Sequence, residues 1–230
     1  MKHLFKGKFI VIDGTDGSGK GTQTDILIQR LADSKYPVFK INFPQYGQPS
    51  AGLVENYLNG QYGSAQAVGP YAASIFYACD RYDASFNIRQ ALLENKIVIA
   101  DRYVTANMGH QGGKIIDDDD RQEFFAWLEH LEYKIFNIPR PDLNIILHVD
   151  AAIAQKLIDQ KEPREYAKGQ KRDIHEADLE HLRLAEKVYL QLADIMPNTK
   201  LIECVQDGRI MTREIISDLV WQEVQGLIKM

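Results

Sequence analysis

Short runs of Ile, Val and Leu alternate along the chain with longer segments whose apolar residues recur at helical spacing. The short runs predict strands at residues 9–13, 38–43, 97–100, 143–149 and 201–205. The longer segments predict helices at about residues 22–32, 72–94, 120–136, 153–158, 175–193 and 212–228. Strands that are apolar throughout are typical of a parallel sheet buried on both faces. We therefore expect an α/β fold, a three-layer sandwich with about five parallel strands between two layers of helices.

A glycine-rich segment follows the first predicted strand and precedes the first predicted helix. This strand, turn and helix order is the context of a phosphate-binding P-loop. Glycine lets backbone N–H groups converge on an anion, and the N-terminus of the following helix adds partial positive charge. We therefore predict a sandwich of the P-loop NTPase type. The predicted phosphate-binding residues are Gly14, Thr15, Asp16, Gly17, Ser18, Gly19, Lys20, Gly21 and Thr22.

The residue after Lys20 departs from the general P-loop pattern. Gly21 stands where a Ser or Thr hydroxyl commonly binds Mg²⁺, and Thr22 comes next. Adenylate kinases share this Gly-Lys-Gly-Thr order, so the prediction of phosphate binding stands. A direct hydroxyl ligand to Mg²⁺ is not predicted, and carboxylates are the alternative ligands.

A second polar pair, Asp101 and Arg102, follows the strand predicted at residues 97–100. Ligands of parallel α/β sheets bind at the carboxyl ends of the strands. An Asp at a strand end can hold Mg²⁺ through water, and an Arg can clamp a phosphate with two parallel hydrogen bonds. We predict Asp101, together with Asp16 of the P-loop, as the metal site. A surface ion pair between Asp101 and Arg102 is the alternative.

Charge and composition exclude several classes of partner. The net charge of −5 offers no basic surface for a nucleic-acid polymer. No apolar run is long enough to span a bilayer, and the N-terminus lacks the apolar core of a signal peptide. Cys79 and Cys204 lie far apart and form no metal-ligand pattern. We expect a cytoplasmic protein with no membrane association.

The chain resembles the thymidylate kinase family. The matching segments are residues 13–20, 43–47, 76–81, 101–103 with Asn107, and 172–173 with Glu176, in family order. Each motif occurs in other nucleotide kinases, but the whole set is much more specific. The resemblance implies ATP-dependent phosphorylation of thymidine 5′-monophosphate (dTMP) for dTTP biosynthesis. It also implies Mg²⁺ as cofactor and a homodimer.

The residues matched to the base site suit a thymine ring. Tyr77 lies four residues before Arg81, on one face of a predicted helix, so its ring can stack on the base while Arg81 donates to O4. Asn107 carries a donor and an acceptor and can bind the N3–H and O4 edge. In some relatives the position of His110 lies near the sugar. Core packing for His110 and a cap or turn for Asn107 are the structural alternatives.

Phosphoryl transfer requires alignment and neutralisation of charge on the moving group. Lys20 would supply charge from the donor side, and Arg102 from the acceptor side. The resemblance directs the Asp16 carboxylate toward the acceptor 3′-hydroxyl or a Mg²⁺-bound water. Tyr46 follows Phe43 and Pro44 and can donate to the acceptor phosphate, although a turn would also explain this segment.

A basic stretch at about residues 160–174 lacks apolar periodicity and predicts a mobile lid within a single domain of residues 1–230. Some relatives place an arginine inside the P-loop, where this chain has Gly17 and Ser18. Basic lid residues would replace it and exclude water on closure; they are Arg164, Lys168, Lys171 and Arg172. Glu176 matches a position assigned to acceptor or metal contact. A solvated charged loop is the alternative.

Two other functions remain open from the sequence alone. Another nucleoside or nucleoside-monophosphate kinase would share the P-loop, and the Gly-Lys-Gly-Thr order favours that reading. Arg81, Asn107 and the Phe-Pro segment favour dTMP instead. A nucleotide-binding regulator without transfer activity would have no need of the acceptor clamp formed by Arg102.

Overall fold

The computed structural model describes residues 6–159 and 179–228. Its centre is a five-stranded, fully parallel sheet in the order β2-β3-β1-β4-β5. The predicted α/β class and the predicted five strands are confirmed. The strands are β1 (Lys8–Gly14), β2 (Val38–Asn42), β3 (Ile97–Asp101), β4 (Leu143–His148) and β5 (Thr199–Glu203).

Helices cover both faces of the sheet. They are α1 (Lys20–Asp33), α2 (Gly52–Leu58, after a 3₁₀ turn at Pro49–Ala51), α3 (Ala65–Leu93), α4 (Val104–Gly112), α5 (Asp118–His130, followed by a π-helical turn at Leu131–Ile135), α6 (Ala151–Asp159), α7 (Leu179–Ile195) and α8 (Arg213–Ile228). A small antiparallel pair, β6 (Val205–Gln206) and β7 (Arg209–Ile210), precedes α8.

Alternation along the strands divides the core into two layers. Phe9 and Val11 of β1 face one buried cluster, which includes residues of α3, α4, α5 and α7. Ile10 and Ile12 face the opposite cluster, with residues of α1, α6 and α8. Because successive strand side chains point to opposite faces, the apolar run of β1 supplies both clusters at once. This burial explains why the strand has no polar face.

Three helical features escaped the sequence prediction. All nine residues of α4 are buried, so this helix has no polar face and shows no amphipathic periodicity. Helix α2 has only seven residues, too few for a periodic signal. Helix α3 begins earlier than predicted, but Gly69 has non-helical backbone angles directly before Pro70 and interrupts its first part. The prediction of a helix from residue 72 therefore located the regular part.

Part of the sequence prediction falls outside the described residues. The lid at about residues 160–174 lies there, and so do Arg164, Arg172 and Glu176. Within the described residues, no helix combines the length and the apolar character needed to cross a membrane.

The carboxyl ends of β4 and β5 are joined to α6 and α7 through His148. Its Nδ1 lies 2.6 Å from Glu203 Oε2, and its Nε2 lies 3.0 Å from Glu186 Oε1. The other Glu186 oxygen accepts a 2.9 Å hydrogen bond from the Ala151 backbone N–H, at the start of α6. Partial burial disfavours the charged imidazole, but the two carboxylates outweigh this and raise the pKa of His148 above its ordinary value.

The raised pKa of His148 predicts a stability contribution that depends on pH. The folded chain holds the proton more tightly than the unfolded chain, so the contribution is complete below the unfolded pKa of about 6.5 and is lost as pH rises through the folded pKa. We expect His148→Phe to reduce the free energy of unfolding more at about pH 5.5 than at about pH 8.5. The difference should be a few tenths to about 1 kcal/mol, because the pairs are partly exposed.

Urea denaturation of both proteins at the two pH values measures this difference. His130→Phe, on the exposed surface of α5, is the matched control for replacing an imidazole with a phenyl ring. A destabilisation by His148→Phe that grows with pH would contradict the assignment of a charged, doubly paired imidazole.

Candidate active site

The P-loop connects β1 to α1 through backbone conformations that require glycine. Gly14 and Gly17 have φ values of 138° and 85°. A Cβ atom on Gly17 would lie 2.4 Å from the Ala154 carbonyl oxygen in α6, and one on Gly14 would lie 2.4 Å from the Leu147 carbonyl oxygen in β4. The loop backbone is therefore packed directly against two neighbouring elements. This packing holds the loop N–H groups in place for an anion.

Lys20 occupies the first position of α1 and is 7% exposed. Its Nζ donates a 2.7 Å hydrogen bond to the Thr15 carbonyl oxygen, across the loop. Burial, followed by the nearby Arg102 charge, lowers the pKa of Lys20 to about 8 despite three neighbouring carboxylates. Because an incoming phosphate would favour the charged amine, the site is suited to take up negative charge.

Two buried hydroxyls of the same loop support that reading. Within the described residues, Thr15 Oγ1 and Ser18 Oγ have no hydrogen-bond partner. A buried hydroxyl without a partner is costly, and a bound phosphate would offer oxygen acceptors to both. The residues present therefore fit the phosphates of ATP. Thr22 is exposed and does not line the adjoining cavity.

Asp16 and Arg102 form a salt bridge that joins the P-loop to the end of β3. Arg102 Nη1 lies 3.1 Å from His110 Nε2, on α4. The Arg102 backbone has a φ value of 70°, which is costly for a residue with a Cβ. Such strain persists only where surrounding structure holds it, and it is commonest at functional sites. The arginine predicted as the acceptor clamp is thus held by backbone and side chain together.

The predicted base-binding residues lie beside this group in one cavity of about 400 Å³. Asn107 on α4 donates from Nδ2 to the Ser74 carbonyl oxygen at 3.2 Å, and the Ser74 hydroxyl lies 3.3 Å from Asn107 Oδ1. The structure therefore fixes the orientation of the amide. The residues of the prediction that line the cavity are Asp16, Gly17, Gly19, Lys20, Gly21, Phe43, Pro44, Tyr46, Tyr77, Arg81, Asp101, Arg102, Asn107 and His110.

Arg81 is held by a partner that the sequence did not reveal. Its Nε lies 3.0 and 2.9 Å from the two carboxylate oxygens of Glu132, and its Nη2 also bonds to Glu132. Its Nη1 lies 3.4 Å from the Tyr103 carbonyl oxygen. Within the described residues these contacts engage three of the five guanidinium N–H groups. Glu132 is fully buried in the π-helical turn after α5, so the pair is a neutral unit in the cavity wall.

The Phe-Pro segment is held from α3. Asp80 accepts from the Gln45 backbone N–H at 2.9 Å and from the Ser50 hydroxyl at 2.7 Å. Phe43 is buried against the Tyr103 ring, with centroids 5.6 Å apart, while Tyr46 is more exposed at the mouth of the cavity. The segment therefore has both a packing role, through Phe43, and a side chain placed for ligand contact, Tyr46.

The predicted metal ligands lie close to the P-loop. A Cβ on Gly21 would lie 3.4 Å from Asp101 Oδ2, so the position that usually carries a Mg²⁺ hydroxyl faces this carboxylate. Among the described residues, no group of three or more His, Cys, Asp or Glu side chains is arranged for a metal ion. Mg²⁺ in nucleotide sites commonly uses one or two carboxylates with substrate phosphates and water. Asp101 and Asp16 fit that mode.

The structure adds functional candidates that sequence reasoning missed. They are Glu132, which pairs with Arg81; Asp13, which is buried behind the P-loop; Gln111, which lines the cavity; and His181, which contacts His110. Asp13 begins the matched segment at residues 13–20, and Gln111 follows the matched Asn107 by four residues, about one helical turn, so these positions were the available signal. Glu132 and His181 carry no local signal.

Comparison with known proteins identifies a family that matches most of this chain. The family model described as thymidylate kinase matches residues 12–215. The thymidylate kinase of Mycobacterium tuberculosis (strain CDC 1551 / Oshkosh) is 30% identical over 185 residues, 80% of this chain and 85% of the relative. That of Clavibacter michiganensis subsp. michiganensis is 27% identical over 225 residues, 96% of each chain.

A solved thymidylate kinase structure from Candida albicans superposes with a TM-score of 0.72 at 20% identity, covering 96% of this chain and 92% of that one. At this identity the likeness supports the fold alone. The family match extends over most of the sequence, from the end of β1 to the start of α8, and includes every strand end that contributes to the cavity. The chain belongs to the thymidylate kinase family.

Proposed function

We propose that this chain transfers the γ-phosphoryl group of ATP to dTMP and releases ADP and dTDP. The observation that carries the proposal is one cavity lined by a P-loop lysine, an arginine clamp and a set of base-binding side chains. Membership of the thymidylate kinase family supports dTMP as acceptor over the two alternatives, another nucleotide kinase and a non-catalytic regulator. The two free cysteines of the described chain agree with a cytoplasmic enzyme.

The donor and acceptor phosphates would meet between Lys20 and Arg102. The Arg102 guanidinium is charged under all ordinary conditions, because Asp16 and neighbouring carboxylates outweigh the effect of burial and raise its pKa. A phosphate oxygen of dTMP attacks the γ-phosphorus, and the bond to the ADP oxygen breaks. Lys20 and Arg102 then neutralise charge on the moving group from opposite sides. Bound Mg²⁺, held through Asp101 and Asp16, would add charge neutralisation to the ATP phosphates.

Additional positive charge is proposed to come from Arg164 and Arg172, with Lys168 and Lys171, in a mobile lid that completes the single domain. Family resemblance and the absence of an arginine at Gly17 and Ser18 support this assignment. Glu176 is proposed to contact the acceptor or the metal. These residues lie outside the described part of the chain, so their roles rest on sequence alone.

A homodimer is proposed from the exposed face of α3. Five large apolar side chains recur there with spacings of four and seven residues and lie on one side of the helix. A contiguous exposed apolar stripe of this kind marks an interaction surface. A second copy of the chain is the proposed occupant, because two identical helices crossing on a two-fold axis would cover each other's stripe. The residues are Tyr71, Ile75, Tyr82, Phe86 and Leu93.

Helix α5 packs against the start of this face. In α5, Phe125 and Leu128 belong to the buried core, and Trp127 packs on Tyr71 of α3. Trp127 therefore supports Tyr71 of the proposed face, while Phe125 and Leu128 are too buried to form it.

Replacing Lys20 tests transfer. The sequence suggests an exposed loop lysine, but the structure buries it, so Lys20→Met is the appropriate change because it keeps most of the side-chain volume. We expect turnover to fall by about 10²–10³-fold, since one preorganised charge in the transition state is lost. Steady-state ADP release measures turnover, and thermal unfolding checks the fold. Turnover within a few-fold of wild type would refute the role.

The choice of base is tested with a panel of acceptors. Arg81 and its N–H groups can only donate, so they favour the O4 of thymine and disfavour the amine of cytosine. Leaving a buried donor without an acceptor costs about 1–3 kcal/mol, or about five- to a hundred-fold. We expect dTMP to be strongly preferred over dCMP. The preference over dUMP should be only moderate, because dUMP lacks just the thymine methyl group and one methyl contact contributes less than the hydrogen bond to O4. The measurement is kcat/KM for dTMP, dUMP, dCMP and AMP.

The variant for this test must respect the buried pair. Removing Arg81 alone leaves a buried Glu132 charge and destabilises by about 3–5 kcal/mol, so the double change Arg81→Met with Glu132→Met is used. The double variant should lower the ratio of kcat/KM for dTMP to kcat/KM for dCMP, mainly because kcat/KM for dTMP falls. Equal use of dCMP or AMP by the wild type would favour the general nucleotide kinase instead.

The dimer face is tested with Phe86→Glu, which places a charge on a side chain that is 58% exposed in the single chain. We expect the dimer to dissociate, because a charge buried in an apolar interface is costly. Light scattering after size-exclusion chromatography measures the mass. Ile116→Glu is the matched control, since Ile116 is exposed elsewhere and should leave the mass unchanged. A wild-type monomer, or a dimer retained by Phe86→Glu, would contradict the assignment.

A further inference from the structure

His181 lies in the first turn of α7 and is almost fully buried. Its Nε2 is 3.3 Å from His110 Nδ1, and the two ring planes are inclined by only 23°, with centroids 5.5 Å apart. The other nitrogen of His110, Nε2, is 3.1 Å from Arg102 Nη1. A continuous line of contacts therefore runs from α7 through α4 to the arginine clamp.

The chemistry of the three groups determines where the protons lie. A guanidinium only donates, so His110 Nε2 must accept from Arg102. A neutral imidazole carries one N–H, and that proton is consequently on His110 Nδ1, which donates to His181 Nε2. His181 is therefore the acceptor that selects the tautomer of His110.

We propose that His181 is a positioning residue for phosphoryl transfer, because it holds His110 in the tautomer that accepts a hydrogen bond from Arg102. The assignment rests on the proposed function of Arg102 as acceptor clamp. In the alternative tautomer, His110 would direct an N–H at the guanidinium and repel it. Arg102 would then keep its salt bridge with Asp16 but lose the contact that limits its remaining freedom. Precise placement of such a clamp has a large effect on transfer rates.

The packing of α7 supports a positioning role. Tyr189 lies eight residues after His181, about two helical turns, and its ring contacts His110 with centroids 5.8 Å apart. A Cβ on Gly109 would lie 2.7 Å from the Tyr189 ring, so α4 and α7 approach as closely as a glycine allows. The close packing of α4 on α7 therefore limits how far His110 and His181 can move apart.

The test compares two substitutions of His181. His181→Phe keeps an aromatic ring of similar size but removes the acceptor, and His181→Gln offers Oε1 as a replacement acceptor for Nε2. We expect kcat/KM for dTMP to fall about five- to tenfold in His181→Phe, the value of one hydrogen bond. His181→Gln should stay within about threefold of wild type, and the KM for ATP should change little in both. His130→Phe, on the surface, is the matched control.

A spectroscopic measurement separates this role from general packing. In ligand-free enzyme with ¹⁵N-labelled histidine, we expect His110 to show the Nδ1–H tautomer in wild type and His181→Gln, and a mixture in His181→Phe. An unchanged tautomer and unchanged efficiency in His181→Phe would overturn the proposal. Equal losses of efficiency in both variants would also overturn it, because packing alone would then explain them.

A failure of the proposed function can be distinguished from a failure of the role proposed for His181. Should the wild type prefer another acceptor over dTMP, the proposed function fails, and the two variants are compared with that acceptor while the tautomer is measured as before. Thermal unfolding of each variant checks the fold. Should His181→Phe be unfolded at the assay temperature, His181→Leu removes the acceptor with less steric demand and carries the same expectations.

Discussion

The site depends on one buried carboxyl group at the end of β1. Asp13 accepts hydrogen bonds from the Gly14 backbone N–H at 2.9 Å, and from the hydroxyls of Thr105 and Tyr189 at 2.8 Å each. These donors belong to the P-loop, α4 and α7. Because a buried carboxyl group is costly without its partners, the three elements must keep their relative positions. Asp13 therefore connects the P-loop side of the cavity to α4, the helix that carries Asn107.

Two arginines in one cavity are paired with carboxylates for different purposes. Arg81 and Glu132 are both fully buried and cancel each other's charge beside the proposed site of an uncharged base. Arg102 pairs with Asp16, but Lys20 lies next to them and adds a second positive charge where phosphates are proposed to bind. In the proposed assignment, the base end of the cavity would recognise hydrogen-bond polarity, and the phosphate end would supply charge. This division follows from the chemistry of a nucleotide, in which only the phosphates are charged.

Much of the fold and part of the site were predictable because their signals are local. The alternation of Phe9 and Val11 with Ile10 and Ile12 predicts a strand buried on both faces, and the structure confirms it. The spacing of the glycines predicts the P-loop for a similar reason. The positive φ angles of the loop fall at individual positions, and each of these positions is marked by a glycine in the sequence. The parallel sheet then brings the strand ends to one edge, so Asp101 and Arg102 could be assigned to the cavity before its geometry was known.

By itself, the sequence determined the strands, the glycine-rich loop and most of the motif residues that line the cavity. Only the tertiary structure decided how those residues are held. Arg81 and Glu132 are 51 positions apart, and His110 and His181 are 71 apart, so no periodic pattern links either pair. Hydrophobic periodicity also failed to predict helix α4, because every one of its residues is buried. Sequence patterns do not predict contacts between helices from distant segments. At such contacts the burial and the hydrogen-bond partners of a residue are determined by the segments packed against it and not by its own segment.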